Sequence, residues 1–218
     1  MIELKNVTLV CIDTKNKLES LSIMKKMSRL IKFGRCMYFT NGIKKQDDIE
    51  IINIPDITAT SKVSGSYSHF CIKELGKYIT TDFCLIVQHD GFILNPEMWT
   101  DDFLQYDYIG AAWPTGGNYI NRVGNGGFSL RSKKFLDACI DIFKDEDIID
   151  NEDLLVCVLR YNDFIKRGIT YAPIELAVKF SIEDLIPEIT TMRTFGFHGT
   201  STKIARDATK NNIENLMI

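Results

Sequence analysis

Three residues at the end of an apolar run could bind a metal ion and a diphosphate. Gln88, His89 and Asp90 follow residues 83–87, whose apolar character predicts a buried strand. A carboxylate at the carboxyl end of such a strand lies where α/β sheets bind their ligands, and it can hold Mg²⁺ or Mn²⁺ beside phosphate oxygens. Side chains alternate along a strand, so Gln88 and Asp90 are expected on one side and His89 on the other. On the triplet alone, an acidic strand end that begins a turn is the simpler explanation.

A pair of acids, Glu152 and Asp153, precedes an apolar helical pattern. Acidic residues at a helix start are most often caps that interact with free N–H groups and the helix dipole. The functional alternative is a general base that removes a proton from an attacking hydroxyl. We assign the base to Asp153 and a structural or acceptor-binding role to Glu152.

His198 is the third candidate for chemistry. Gly196 and Gly199 flank it, which predicts a flexible segment rather than an apolar helix face. An imidazole beside carboxylate and phosphate oxygens would favour Mn²⁺ over Ca²⁺. His69 is expected on the polar side of a helix and His89 is expected to point away from Asp90, so neither receives a catalytic role.

Residues 124–127 form a glycine-rich cluster, Gly-Asn-Gly-Gly. Ser129 stands where a dinucleotide fingerprint needs its third glycine, and the cluster lies far from any first βαβ unit, which argues against a Rossmann dehydrogenase. The glycines either let the backbone approach a bulky ligand or form a tight turn or bulge. Phe128 and Leu130 are expected to pack beneath.

The elements that must position these residues alternate between apolar runs and helical patterns, as in an α/β sandwich. Strands are predicted at residues 7–12, 36–40, 49–54, 83–87 and 106–112, with another extended segment from 124 to 130. Helices are predicted with apolar faces at 18–30 and 67–79, and again at 133–143 and 152–165. A break is predicted at 113–117, and the chain ends in a polar tail.

Composition limits the class of protein. The 218 residues are 45% hydrophobic and 25% charged, as in one soluble domain, and the formal net charge of -3 gives no electrostatic case for nucleic acid. Six separated cysteines without a C-x-x-C pair are expected to be buried free thiols. The absence of a basic leader or a long apolar stretch predicts a cytoplasmic protein without a transmembrane segment.

Taken in order, these motifs resemble a GT-A glycosyltransferase. Residues 87–92, 107–114 and 124–132 are more closely similar to a family of uncharacterised glycosyltransferase-like domains, and to the first domain of a multidomain chlorella-virus glycosyltransferase. The resemblance implies a GT-A-like α/β/α sandwich with a mixed central sheet. It also implies a single domain over 1–218, with a nucleotide-binding half at 1–92 and an acceptor-binding half at 93–218 that includes the C-terminal metal-site segment.

The resemblance also implies roles for individual residues. Asp90 matches the last acid of an Asp-x-Asp metal motif and His198 the C-terminal histidine of the metal site, with Gln88 replacing the first acid. Asp153 or Glu152 matches the base of inverting enzymes. Residues expected to face the nucleotide are Ile12, Asp13, Thr14, Lys73 and Gln88. Residues expected to contact sugar are Trp113, Asn125, Gly126 and Gly127.

The sequence therefore predicts a transferase that depends on Mn²⁺ or Mg²⁺. It moves a hexose or deoxyhexose from a nucleotide sugar, expected to be UDP-linked, to a glycan or other hydroxyl acceptor with inversion. A non-catalytic sugar- or nucleotide-binding module with the same fold is the alternative. A nucleotidyltransferase is disfavoured because residues 13–16, after the first strand, contain no glycine.

Overall fold

The central sheet has four parallel strands from the first half of the chain. Two strands from the second half, antiparallel to each other, complete it. The computed structural model describes residues 2–57, 66–114, 120–191 and 193–199. The six strands lie in the order β3-β2-β1-β4-β7-β6. Their bounds are β1 Ile2–Ile12, β2 Ile31–Thr40, β3 Glu50–Asn53, β4 Phe83–Val87, β6 Tyr108–Ile109 and β7 Ser129–Ser132. This mixed sheet confirms the predicted fold class, and it places the carboxyl ends of β1 to β4 along one edge.

Helix α1, Lys17–Leu30, joins β1 to β2 and packs on one face of the sheet. Leu21, Met24 and Met27 are buried, as the helical spacing predicts. Leu18 was expected on the same face, but its side chain is 76% exposed because it lies in the first turn, beyond the covered part of the sheet. The prediction for that residue was wrong.

The opposite face of the sheet is covered by helices. Their positions agree with the apolar periodicity of the sequence, but their types do not all agree. The helix predicted at 67–79 is α2, Tyr67–His69, followed by a π-helix at Phe70–Glu74 and a 3₁₀ turn at Leu75–Lys77. Helix α3, Lys133–Ile142, agrees with its prediction. The apolar side chains of these helices pack on Ile86, Cys84 and Val10 of the sheet.

The helix predicted at 152–165 is divided. It begins as α4, Glu152–Leu154, widens to a π-helix at Leu155–Leu159, and restarts as α5, Tyr161–Lys166. A further helix, α6 at Ile174–Phe180, was not predicted. The strand predicted at 106–112 is limited to β6, with one isolated bridge from Ala112 to Val123.

A second, three-stranded sheet lies beside the end of β4. Its strands are β5 Gly91–Ile93, β9 Gly196–His198 and β8 Ser181–Ile182, in the order β5-β9-β8. The prediction of a flexible segment around His198 was therefore wrong, because β9 pairs with both neighbours and Phe197 packs edge-on against Phe92. The predicted break over 115–117 and the polar tail lie outside the described residues.

The cysteines match expectation, since all six are free and five are buried. None of the described helices combines the length and apolar character needed to cross a bilayer.

Candidate active site

The chain makes a tight turn immediately after β4. The Gln88 N–H donates to the Gly91 carbonyl at 2.8 Å and the Gly91 N–H donates back to the Gln88 carbonyl at 3.2 Å. The strand alternation therefore stops at Val87. His89 was expected to point away from Asp90, and this was wrong: His89 Nδ1 lies 3.8 Å from Asp90 Oδ1 and 3.8 Å from Asp13 Oδ2.

Four side chains from three strand ends meet beside this turn. His198 Nε2 lies 3.1 Å from Gln88 Oε1 and 3.7 Å from Asp90 Oδ1. His198 Nδ1 lies 3.1 Å from Oε1 of Glu183, the residue that follows β8. We call Gln88, Asp90, Glu183 and His198 the Asp90 cluster. The structure thus brings His198 together with Gln88 and Asp90, from which it is far apart in the sequence.

The environment of His198 determines which of its nitrogens carry protons. Burial alone would lower the pKa of the imidazole, but the hydrogen bond to Glu183 and the charges of Glu183, Asp90 and Asp153 together raise it. In the charged form the ring donates to both Glu183 and Gln88. When Nε2 loses its proton while Nδ1 still donates to Glu183, Nε2 carries a lone pair 3.7 Å from Asp90 Oδ1. A carboxylate that orients a histidine in this way is common behind metal sites.

The Asp90 cluster fits a divalent ion that is shared with a ligand. Asp90 Oδ1 is buried and makes no hydrogen bond with the described part of the chain, which leaves a carboxylate oxygen available beside an imidazole nitrogen. Within that same part, no three His, Cys, Asp or Glu side chains are grouped to hold a metal alone. Asp90 and His198 would therefore supply two ligands, and Mg²⁺ or Mn²⁺ characteristically takes the rest from phosphate and water.

Two adjacent glycines lie at the centre of the site. A Cβ atom on Gly127 would lie 2.0 Å from His198 Nε2, and a Cβ atom on Gly126 would lie 1.7 Å from Glu152 Oε1. A side chain at either position would therefore require His198 or Glu152 to move. The sequence left open whether these glycines admit a ligand or form a turn; the space into which their side chains would project is filled by the protein's own His198 and Glu152.

A second cluster lies on the other side of these glycines. Asp153 accepts from the Gly126 N–H at 3.2 Å through Oδ2 and from the Leu154 N–H at 2.8 Å through Oδ1. Glu152 forms a buried ion pair with Arg131, with 2.7 Å between Oε1 and Nη2. We call Gly126, Arg131, Glu152 and Asp153 the Asp153 cluster. Glu152 is 4% exposed and paired, so the acceptor-binding role considered for it does not fit this position, whereas the structural role does.

The pKa of the Asp153 carboxyl group lies where the group can exchange protons near neutral pH. Burial, reinforced by the negative charge of Glu152, raises the pKa of Asp153 to about 6, although two backbone hydrogen bonds and Arg131 oppose the shift. A carboxylate with a raised pKa in a cleft is a recognisable sign of a general acid or base.

The residues predicted to face the nucleotide divide into three groups. Asp13 lies at the carboxyl end of β1, where its carboxylate accepts from the Lys15 and Asn16 N–H groups and from the Ser20 hydroxyl, close to His89. Thr14 accepts from the Ile57 N–H at 2.9 Å, and Ile12 is 3% exposed in the core. Lys73 is directed elsewhere, because its ammonium donates to the Glu146 carbonyl. Asp13 is thus brought to the Asp90 side, where Gln88, the remaining member of this set, already belongs to the Asp90 cluster.

The residues predicted to contact sugar lie on the second half of the chain. Trp113 is partly exposed, and its indole occupies the space into which a side chain at Gly124 would project. Asn125 is 2% exposed with φ 55°; its Oδ1 accepts from the Phe128 N–H at 3.3 Å, and its Nδ2 lies 2.9 Å from His198 Nδ1. The latter contact is a hydrogen bond only in the tautomer with the proton on Nε2. The Asn125 amide therefore contacts the protein itself.

Sequence reasoning missed two residues of the site. Glu183 follows a two-residue strand too short to show a pattern, and Arg131 lies on the four-residue strand β7, just beyond the extended segment predicted at 124–130. The one available signal was Arg131 itself, because a charged residue next to a predicted extended segment needs a partner if it is buried.

Comparison with solved structures identifies the fold as that of GT-A glycosyltransferases. The galactosyltransferase LgtC, solved with donor and acceptor sugar analogues, matches with a TM-score of 0.55 and 16% identity over 96% of this chain and 94% of that one. A glycosyltransferase involved in glycosylation of the major capsid of the chlorella virus PBCV-1 matches with a TM-score of 0.50 and 10% identity over 97% and 99%. The predicted GT-A resemblance is confirmed for the fold.

The chain itself belongs to the family DUF5672, described as a protein of unknown function, whose family pattern matches residues 48–198. A search among curated proteins found no match. The matched range includes both clusters, since it begins before β3 and ends at His198.

Proposed function

We propose that the protein is a glycosyltransferase that moves a sugar from a nucleotide-sugar donor, UDP-linked, to a hydroxyl acceptor. The observation that carries the proposal is the meeting of the two clusters at Gly126 and Gly127. One cluster has a carboxylate oxygen without a hydrogen bond to the described chain, beside an imidazole; the other has a carboxylate whose pKa is raised to about 6. The GT-A-like fold of the structural neighbours supports it.

The donor is proposed to bind across the carboxyl ends of β1 and β4. Ligands of open α/β sheets bind at such strand ends, and Asp13 and Asp90 both lie there. Asp90 and His198 would hold Mn²⁺ or Mg²⁺ together with the diphosphate. When bound, the ion neutralises negative charge that develops on the leaving diphosphate. Gln88 in place of a first acid means that the nucleotide supplies part of the coordination.

Asp153 is proposed to act as the base. The oxygen of the acceptor hydroxyl bonds to the anomeric carbon as the bond from that carbon to the diphosphate oxygen breaks, and the electron pair leaves with the nucleoside diphosphate. The hydroxyl proton passes to Asp153, whose oxygens each retain a lone pair beside the backbone hydrogen bond. Attack from the face opposite the diphosphate inverts the anomeric centre.

A turnover assay tests the proposal and separates an enzyme from the binding-module alternative. The purified protein is incubated with Mn²⁺, a panel of UDP-hexoses and UDP-deoxyhexoses, and saccharide acceptors, and released UDP is measured. We expect UDP release by the wild type, a loss of about 10²–10⁴-fold in Asp153→Asn with nucleotide binding retained, and no change in the control Asp145→Asn on an exposed loop. A wild-type protein that binds nucleotide sugar without releasing UDP would support the binding module.

A further inference from the structure

Arg131 is a fully buried cation that contacts Gly126 and Glu152 of the Asp153 cluster. It lies on β7, is 1% exposed, and packs its guanidinium over the Tyr108 ring with 5.4 Å to the centroid. Its Nη2 contacts Glu152 Oε1 at 2.7 Å and the Gly126 carbonyl at 3.3 Å, and its Nε donates to Ser129 Oγ at 3.0 Å. Arg131 therefore joins the glycine segment to the residue that precedes Asp153.

Two side chains that Arg131 contacts, Ser129 and Tyr108, bind carbonyl groups of the glycine segment. The Ser129 hydroxyl donates to the Gly126 carbonyl at 3.0 Å, and the Tyr108 hydroxyl donates to the Asn125 carbonyl at 3.1 Å. The Gly126 N–H that donates to Asp153 Oδ2 belongs to the peptide between Asn125 and Gly126, whose carbonyl Tyr108 holds. The Gly126 carbonyl that Arg131 and Ser129 hold belongs to the next peptide, so both peptides that flank the Gly126 Cα atom are fixed. The orientation of the Asp153 carboxylate thus depends on a backbone position that Arg131 helps to hold.

Stability alone is a poor explanation for this arrangement. A buried ion pair loses hydration on both sides, and a well-packed apolar pair of similar volume is often at least as stable. Three directional contacts from one guanidinium instead fix geometry, which the planar fork of arginine does better than the point charge of lysine.

We propose that Arg131 is a positioning residue of the transfer reaction. Its guanidinium holds the Gly126 carbonyl and the carboxylate of Glu152, the residue before Asp153. Through the Gly126 backbone it keeps the Gly126 N–H in place, and with it the Asp153 carboxylate in the orientation that receives the acceptor's proton. This inference rests on the proposed function. Glu152 is the counterion that keeps the guanidinium in place, so the two residues act as one unit.

The test compares a variant that keeps the positive charge at residue 131 but loses the contacts of the guanidinium with a variant that loses both. Arg131→Lys keeps the charge but cannot make all three contacts, and the double variant Arg131→Met with Glu152→Leu leaves no unpaired buried charge. We expect the double variant to fold where a single change at either position does not, because it leaves no buried charge without a partner. We expect UDP–Mn²⁺ affinity within about threefold of wild type in both, a kcat lowered about tenfold in Arg131→Lys, and a kcat lowered at least about 30-fold in the double variant.

A second readout does not depend on turnover. Exchange of the Gly126 amide hydrogen with solvent, followed by NMR, should be at least about tenfold faster in the double variant, while the amide of Leu9 in the central strand β1 stays as protected as in wild type. Wild-type kcat together with wild-type Gly126 protection in the double variant would overturn the proposal and leave the pair as a space-filling feature. If the wild type shows no transfer, the proposed function fails. The exchange rates of the Gly126 amide hydrogen still decide whether Arg131 positions the Gly126 N–H.

Discussion

The two clusters on either side of Gly126 and Gly127 differ in how well their carboxylates are satisfied. In the Asp90 cluster, Asp90 Oδ1 is buried but makes no hydrogen bond with the described chain. In the Asp153 cluster, both Asp153 oxygens accept backbone N–H groups and Glu152 is paired with Arg131. A carboxylate oxygen that accepts no hydrogen bond from the described chain can take a ligand that brings positive charge, whereas a carboxylate held by two N–H groups keeps a fixed direction. Under the proposed function, this difference separates the ion-binding site from the proton-accepting site.

Alanine at each of the two glycines should break one cluster and spare the other. Gly127→Ala places a methyl group against His198 Nε2, so we expect metal-dependent nucleotide binding to fall by at least about tenfold. Gly126→Ala places a methyl group against the Glu152 carboxylate, so we expect kcat and stability to fall while the metal-dependent binding that remains in the folded protein is unchanged. Calorimetry and thermal unfolding measure the two effects.

The matched control for these two variants is Gly42→Ala, because Gly42 belongs to neither cluster and, among the described residues, Lys17 Nζ at 3.9 Å is the one atom within 4 Å of its added Cβ. Its φ of 66° is strained for alanine, which predicts a loss of stability without loss of binding or turnover. Equal losses of metal-dependent binding in Gly126→Ala and Gly127→Ala would show that the clusters are one unit.

The pH dependence of the transfer rate should also distinguish the Asp153 cluster from the Asp90 cluster, with a smaller effect. Asp153 must be ionised to accept a proton, and its pKa is raised to about 6 by burial and by Glu152, so the transfer rate should fall about tenfold per pH unit below about 6. The rate in saturating donor is compared with UDP–Mn²⁺ affinity over the same range. A rate that stays flat down to pH 5 would contradict the role of Asp153.

The first half of the fold was predictable because its patterns are local. The apolar runs of β1 and β4 and the helical spacing of Leu21, Met24 and Met27 follow directly from burial against one sheet. In the second half, β6 and β8 have two residues each and the helix predicted at 152–165 contains a π-helical segment, so these elements show no periodicity of useful length. These elements are fixed by tertiary contacts that the sequence does not display.

The candidate site shows the same division. Asp90 and Asp153 were identifiable from their places after a strand and before a helix, and His198 from its residue type between glycines; the resemblance added a metal-site role for His198. The orientation of His89 could not be predicted, because a turn replaced the strand alternation after Val87. The roles of Arg131 and Glu183 required the structure, since each contacts a residue far away in the chain.

The measurement that tests the separation of the clusters most directly is titration of UDP into wild type, Asp90→Ala and Asp153→Asn, with Mn²⁺ and then with EDTA. The account predicts Mn²⁺-dependent binding that is lost in Asp90→Ala and kept in Asp153→Asn. No UDP binding by the wild type, or an equal loss in both variants, would contradict it.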